Sequence, residues 1–184
     1  MADFGCRYYY VVVACEHKGK LLMLHRNRRK HVSGFNGRWM GIVGEKREKV
    51  HPHIEAKRIF KEETGLTATK VRYRGLIQMW PFPTVVDGKL KFVVDGVVMF
   101  DVMKFEGELQ PEARLGTYEW VDKDKVYNKL FPKLWRPDRT LLKCMRDGNK
   151  LVHLRYSLFP DDTVYRAEWF WEPMTPEQFE EWNI

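Results

Sequence analysis

The stretch Gly44–Leu66, with the sequence GEKREKVHPHIEAKRIFKEETGL, decides the fold of this chain. Pro52 suits the first turn of a helix, because the N–H that proline lacks has no intrahelical partner there. Apolar residues then recur at roughly helical spacing, and Gly65 suits a helix end because glycine adopts the left-handed conformation at little cost. The stretch therefore predicts a loop and then a helix over 53–64. Two side chains of this helix are expected to be buried against a mixed sheet: Ala56 and Phe60.

Three carboxylates lie on the predicted helix. Glu55 is seven and eight residues away from Glu62 and Glu63, about two helical turns, so all three can share one face. Carboxylates on one face repel one another unless they bind a cation, and Mg²⁺ prefers such oxygen ligands. The helix therefore predicts a site for Mg²⁺ or Mn²⁺.

The same stretch resembles the Nudix box of the Nudix hydrolase superfamily. That signature runs Gly, five residues, Glu, seven residues, Arg-Glu, an aliphatic residue, any residue, Glu-Glu, any residue, Gly and an aliphatic residue. Two positions differ, because Val50 replaces the first Glu and Ile59 replaces the Glu after the Arg. The other positions are in register without a gap: Gly44, Arg58, Phe60, Glu62, Glu63, Gly65 and Leu66.

The resemblance implies a reaction and a set of metal ligands. Nudix hydrolases split a diphosphate joined to another group, with Mg²⁺ ions between the phosphate oxygens and the helix carboxylates. Glu62 and Glu63 are the implied catalytic residues and metal ligands, and the Gly44 carbonyl is a further ligand. Ile59 removes the Glu that acts in the family as metal ligand or base, and a positioned base contributes roughly 10²–10⁴-fold in rate.

Other residues are candidates to replace the missing carboxylates. Glu55 lies one turn before Ile59 on the same face, so it is a candidate catalytic residue and metal ligand, or else a surface residue. His51 and His53 are further candidate ligands, or else simply loop residues. A loop carboxylate between Glu106 and Glu112 is a candidate base.

Arg58 is the last candidate catalytic residue. In the family this Arg usually pairs with the first Glu of the box, which is Val50 here. Three partners remain open for Arg58: Glu55, Glu62 and a substrate phosphate.

Four residues are candidates for binding the substrate. Arg26 follows the second predicted strand and is a candidate phosphate contact. Asn36 matches the position that lines the base pocket in the resembled proteins, and an Asn side chain both donates and accepts hydrogen bonds. Trp39 and Trp80 are candidate stacking platforms, with core packing as the alternative for each.

The resemblance extends over roughly residues 7–170 and is strongest to the MutT-like branch, in particular the 8-oxo-dGTP diphosphatases of Gram-positive bacteria. It rests on segments such as LLMLHR at 21–26, NGRWMGIVG at 36–44 and YEWVDKDKV at 118–126. The implied fold is α/β, a Nudix α/β/α sandwich around a mixed β-sheet. The whole chain, 1–184, is expected to be one domain, with a C-terminal β-hairpin extension at roughly 147–184.

Composition limits the remaining possibilities. The chain has 184 residues, 44% of them hydrophobic, and lacks both an apolar run of membrane-spanning length and a recognisable signal peptide. Three scattered cysteines indicate a reduced, cytoplasmic protein. The net charge of +7 favours anionic partners such as nucleotides or RNA, although many soluble basic proteins bind no nucleic acid. The resemblance implies a nucleotide or a nucleoside diphosphate-linked small molecule as partner. The oligomeric state is expected to be a monomer or a homodimer. The alternative to an enzyme is an inactive Nudix-fold protein that binds a nucleotide, RNA or protein.

Overall fold

The structure is a computed structural model that describes most of the chain. It describes residues 4–26, 37–80, 84–86, 89–130, 133–134, 142, 150–158 and 164–173. For residues 4–9, 79–95, 150 and 152–173, only the described backbone is considered below.

The residues that the structure describes form ten strands and one long helix. The strands are β1 Phe4–His17, β2 Lys20–His25, β3 Trp39–Met40, β4 Ile42–Glu45, β5 Thr67–Trp80, β6 Thr84–Val86, β7 Lys89–Glu106, β8 Thr117–Asp122, β9 Lys150–Leu158 and β10 Val164–Pro173. The helices are α1 Pro52–Thr64 and the single turn α2 Lys123–Lys125, which continues as a π-helical segment, Val126–Leu130.

The main sheet is mixed and has the order β10-β9-β5-β7-β1-β4. β1 runs parallel to β7, and β5 runs parallel to β9, whereas the other neighbours in this order are antiparallel. The C-terminal hairpin β9–β10 extends this sheet at one edge, as predicted. β4 ends at the other edge, with Gly44 opposite Val11, and leads directly into the loop before α1.

A smaller antiparallel sheet has the order β3-β2-β8 and is joined to the main sheet by the β1–β2 hairpin. The hairpin turns at Lys18 and Gly19, both of which have positive φ. The sequence by itself predicts one short strand over 40–43, but the structure has two strands there, β3 and β4, one in each sheet. The segment is divided because β3 pairs with β2, whereas β4 pairs with β1. Local composition does not show which strands will pair.

Helix α1 forms where the sequence predicts it. His51 caps its N-terminus, and Gly65 ends it with a φ of 77° and an N–H that donates to the Lys61 carbonyl. Ala56 and Phe60 are fully buried, as expected. The helix therefore packs on the main sheet through a continuous apolar face.

Two hydrophobic clusters lie on opposite faces of β2, whose side chains alternate between them. Leu22 and Leu24 belong to the cluster that includes Phe60 of α1. Leu21 and Met23 belong to the second cluster, with residues of β8 and of the helical segment that follows it. Helical residues thus cover both faces of the strands, which agrees with the predicted α/β layering.

Some predicted elements differ or lie outside the described residues. For residues 122–131 the sequence predicts a helix with Asp122 as its N-cap; Asp122 is the N-cap, but only one turn is α-helical before the π-helical segment, in which Val126 and Leu130 are both buried. The sequence also predicts a helix over 136–145, which lies outside the described residues apart from Leu142. A short helix that it predicts from Thr175 lies entirely outside them. Among the helices described, none is long and apolar enough to cross a membrane.

Candidate active site

A pocket of about 750 Å³ lies where the end of β4, the following loop and the C-terminal half of α1 meet. Its lining includes four residues that match the box signature and Ile59, which does not. The four are Gly44, Arg58, Glu62 and Glu63. Among the described residues, its charged lining comprises four basic and three acidic side chains: Lys46, Arg47, Arg58, Arg114, Glu45, Glu62 and Glu63. Opposite charges in one open cleft suit a ligand that carries both an anion and a cation, such as a diphosphate with a metal ion.

Glu62 is held by Arg58, one turn earlier on the same helix. The Arg58 Nη1 donates to Glu62 Oε2, while its Nη2 donates to the Glu45 carbonyl over 2.8 Å. The Glu62 side chain is 59% exposed, so its other oxygen remains accessible to a ligand. Arg58 therefore fixes the direction of this carboxylate and ties the helix to the end of β4.

Glu63 is held from the opposite side by Tyr118 of β8. The buried Tyr118 hydroxyl donates to Glu63 Oε2 over 3.2 Å. Burial, together with the Glu63 carboxylate, raises the pKa of the Tyr118 phenol, so the hydroxyl remains a donor. Sequence reasoning missed this contact, because the two residues are 55 positions apart and belong to different elements.

Ile59 occupies the space that the missing Glu would use. Its side chain is buried against Gly44, so closely that a Cβ on Gly44 would lie 2.8 Å from Ile59 Cγ1. Real Cβ atoms essentially never show contacts of that length, so a side chain at position 44 would require Ile59 to shift. The inner wall of the pocket is thus apolar at this point.

Glu55 lies behind the pocket and does not line it. Its side chain has no exposed surface, and its two oxygens accept hydrogen bonds from Arg58 and from Arg47. Burial alone would raise the pKa of the Glu55 carboxyl, but the hydrogen bonds from Arg58 and Arg47 lower it to about 2. Of the partners left open for Arg58, the structure provides both Glu55 and Glu62.

The loop between β7 and β8 approaches the pocket through Arg114 and Leu115. These residues form the tip of a tight turn closed by hydrogen bonds between Ala113 and Gly116. Within this described loop, none of the carboxylates between Glu106 and Glu112 lines the pocket. A basic side chain therefore stands where a loop carboxylate was considered, and no sequence pattern distinguishes Arg114 from other charged loop residues.

Of the four candidate substrate-binding residues, Arg26 and Trp39 do not line this pocket. The side chains of Asn36 and Trp80 are not among the parts of the chain that the structure describes. Trp39 is buried in the second core cluster and stacks on His25, with ring centroids 4.5 Å apart, which fits the core-packing alternative. The Arg26 Nη1 lies 3.8 Å from the Met40 sulfur. Asn36 lies outside the described residues, and of Trp80 only the backbone, in β5, is described.

His51, the N-cap of α1, and His53, in its first turn, contact each other. Their Nδ1 atoms are 2.6 Å apart, and His51 also accepts a hydrogen bond from the His53 backbone. Partial burial, then the neighbouring His51 and Lys57, lowers the pKa of His53. Neither ring lines the pocket of Glu62 and Glu63, so a role as metal ligands there gains no support.

Comparison with known proteins agrees with this geometry. A family model described as the NUDIX domain matches residues 7–144, well over half of the chain. The chain belongs to the NUDIX family. The predicted superfamily and α/β fold are thereby confirmed, whereas the narrower resemblance to 8-oxo-dGTP diphosphatases stays a prediction.

Solved structures share the NUDIX fold. A MutT protein from Bacillus halodurans is 21% identical, with a TM-score of 0.70 over 87% of this chain and 95% of that chain. A MutT protein from Methanosarcina mazei is 18% identical, with a TM-score of 0.54 over 80% of this chain and 96% of that chain. At these identities the likeness shows the fold alone.

Proposed function

We propose that this NUDIX protein is a divalent-metal-dependent pyrophosphohydrolase of a nucleoside triphosphate or another nucleoside diphosphate-linked compound, working with a single metal ion. NUDIX hydrolases in general act on such compounds with divalent metals. The observation that carries the proposal is the placement of Glu62 and Glu63 beside Gly44 in one pocket, which is also lined by the basic side chains of Lys46 and Arg114.

The oxygen donors of this pocket fit one Mg²⁺ or Mn²⁺ ion. Mg²⁺ in proteins is often bound by only one or two carboxylates and completes its octahedron with water and substrate phosphates. Glu62, Glu63 and the Gly44 carbonyl are the ligands that we assign. Among the described residues no group of three or more Asp, Glu, His or Cys side chains is placed to hold a metal. We therefore assign a single ion to the two carboxylates and the carbonyl.

The bound ion would neutralise phosphate charge and lower the pKa of an attacking water. Arg58 and Tyr118 keep the two ligand carboxylates in place through the hydrogen bonds described above. Lys46 and Arg114 are the pocket cations that we assign to the phosphate oxygens, because neither forms an ion pair with a described residue. They would hold the diphosphate as charge develops on the leaving phosphate.

The third pocket carboxylate, Glu45, is the base that we assign in place of the residue lost at position 59. Its side chain is exposed, and among described residues it makes no hydrogen bond or ion pair. Its backbone carbonyl, by contrast, is fixed by Arg58. Glu45 therefore combines a positioned backbone with a carboxylate that is available to a water molecule.

The test is a hydrolysis screen over nucleoside triphosphates, nucleoside diphosphate sugars and dinucleoside polyphosphates with Mg²⁺ or Mn²⁺, following release of phosphate and diphosphate. Glu63→Gln should abolish any activity found. The matched control is Glu119→Gln, because Glu119 is an exposed carboxylate on β8 that does not line the pocket. Equal rates for wild type and Glu63→Gln would refute the proposal.

A second candidate function is binding without hydrolysis, and Ile59 is the observation that favours it. A buried apolar side chain stands where the family has a ligand or base. Under this alternative, the screen would detect no turnover although a nucleotide, RNA or protein partner binds. Tight nucleotide binding to wild type with no product after prolonged incubation would favour it.

A further inference from the structure

Glu55 is a charged side chain next to the pocket whose two oxygens both accept hydrogen bonds. Its carboxylate accepts from the Arg47 backbone N–H over 3.0 Å, from the Arg47 Nε over 2.9 Å and from the Arg58 Nη2 over 2.7 Å. It has no exposed surface. Burying a carboxylate is costly unless it is paired and hydrogen-bonded, so this arrangement fixes both arginines rather than leaving them to move in solvent.

The two arginines come from different parts of the box. Arg47 lies in the loop between β4 and α1, whereas Arg58 lies on α1 itself. Arg58 in turn contacts the Glu45 carbonyl and the Glu62 carboxylate. One buried carboxylate thus joins the end of β4, the loop and the helix.

Both arginines line the pocket, but Glu55 does not. Glu55 therefore acts on a ligand only through Arg47 and Arg58. The chain has Val50 where the family signature has the carboxylate that usually pairs with this Arg. Position 55 is three residues before Arg58 on the same helix, a spacing at which side chains meet.

We infer that Glu55 is a positioning residue that replaces the carboxylate missing at position 50: it holds loop 45–49 on helix α1 and thereby sets the positions of Arg58 and Glu62 for the diphosphate. Only the last clause rests on the proposed function. The attachment of the loop is a property of the free protein and is tested without a ligand.

The first measurement is amide hydrogen exchange in the ligand-free protein. Glu55→Gln keeps the volume of the side chain and removes its charge, and exchange over residues 45–49 is expected to become about tenfold faster, with β7 unchanged. The double variant Val50→Glu, Glu55→Gln should restore slow exchange. The matched control is Glu48→Gln, because Glu48 is exposed in the same loop. Unchanged exchange over 45–49 in folded Glu55→Gln would overturn the inference.

The second measurement is calorimetry with inorganic pyrophosphate and Mg²⁺. Glu55→Gln is expected to bind roughly tenfold or more weakly than wild type while folded, and the double variant should recover most of that loss. If Glu55→Gln exchanges faster over residues 45–49 but binds pyrophosphate as tightly as wild type, Glu55 only attaches the loop to the helix. That result would overturn its role in positioning Arg58 and Glu62. If wild-type protein binds no pyrophosphate, the proposed function fails, whereas the exchange result still decides whether Glu55 holds the loop.

Should Glu55→Gln not fold, Arg47→Ala provides the test. The Arg47 side chain is 59% exposed, so its removal is tolerated more easily than a change at Glu55. Loop 45–49 is then expected to exchange faster, because the loop's side-chain contact with Glu55 is lost. An unchanged exchange rate over 45–49 would overturn the inference.

Discussion

The buried Glu55 carboxylate predicts a specific dependence of stability on pH. Its pKa falls from an ordinary 4.5 to about 2 in the folded protein, because the hydrogen bonds from Arg58 and Arg47 outweigh the opposing effect of burial. A carboxyl group whose pKa is lower in the folded than in the unfolded protein stabilises the fold. The full stabilisation is present at pH values above the pKa of the unfolded state. That stabilisation is lost as the pH falls towards the folded pKa.

The magnitude follows from the two pKa values. Their difference corresponds to about 3 kcal/mol of folding free energy at pH 7, decreasing to about 1 kcal/mol at pH 3. Glu55→Gln removes this contribution, since an amide cannot carry the charge. The free energy of unfolding of the variant should therefore be about 3 kcal/mol lower than that of wild type at pH 7, and about 1 kcal/mol lower at pH 3.

Urea unfolding at a series of pH values measures this difference. Comparing the variant with wild type at each pH cancels the titration of the other carboxylates. Glu48→Gln serves as the control, because Glu48 is exposed and makes no ion pair with a described residue. A difference between wild type and Glu55→Gln that stays constant from pH 7 to pH 3, or that is absent at pH 7, would refute the reasoning.

Three further outcomes are expected around the pocket. Tyr118→Phe removes the donor to Glu63 and should weaken Mn²⁺ binding roughly 10–100-fold, measured by calorimetry; unchanged affinity would mean that Tyr118 does not orient Glu63. Gly44→Ala should destabilise the fold by about 1–3 kcal/mol, because its Cβ would meet Ile59, and combining it with Ile59→Ala should cost less than the two single changes together. Ile59→Glu adds a carboxylate beside the assigned ligands and should tighten Mn²⁺ binding; no gain would mean that the site cannot use a ligand at that position.

The sequence predicted α1 well because the signals for that helix are local. Pro52 and Gly65 determine its ends through their own backbone chemistry, and the apolar spacing determines its buried face. The structure confirms burial of Ala56 and Phe60 for this reason. Local composition likewise predicts a strand over 40–43, but not its partners, and the segment is divided between β3 and β4 in different sheets.

The site was harder to predict because spacing shows which residues share a helix face, but not what they meet. Glu55 lies at the spacing expected for a ligand, yet it contacts Arg47 and Arg58 behind the pocket. Tyr118 and Arg114 reach the pocket from β8 and the loop before it, so only the tertiary fold brings them to the box residues.

The most direct test of the account is the number of Mn²⁺ ions bound per chain, counted by electron paramagnetic resonance of the free ion during a titration. We predict one bound ion in wild type and none in Glu63→Gln. The metal-free variant should melt at the same temperature as wild type or higher, because adjacent carboxylates near the C-terminus of α1 repel one another and the helix dipole. Wild-type protein that binds no Mn²⁺, or Glu63→Gln protein that still binds one ion as tightly, would contradict the account.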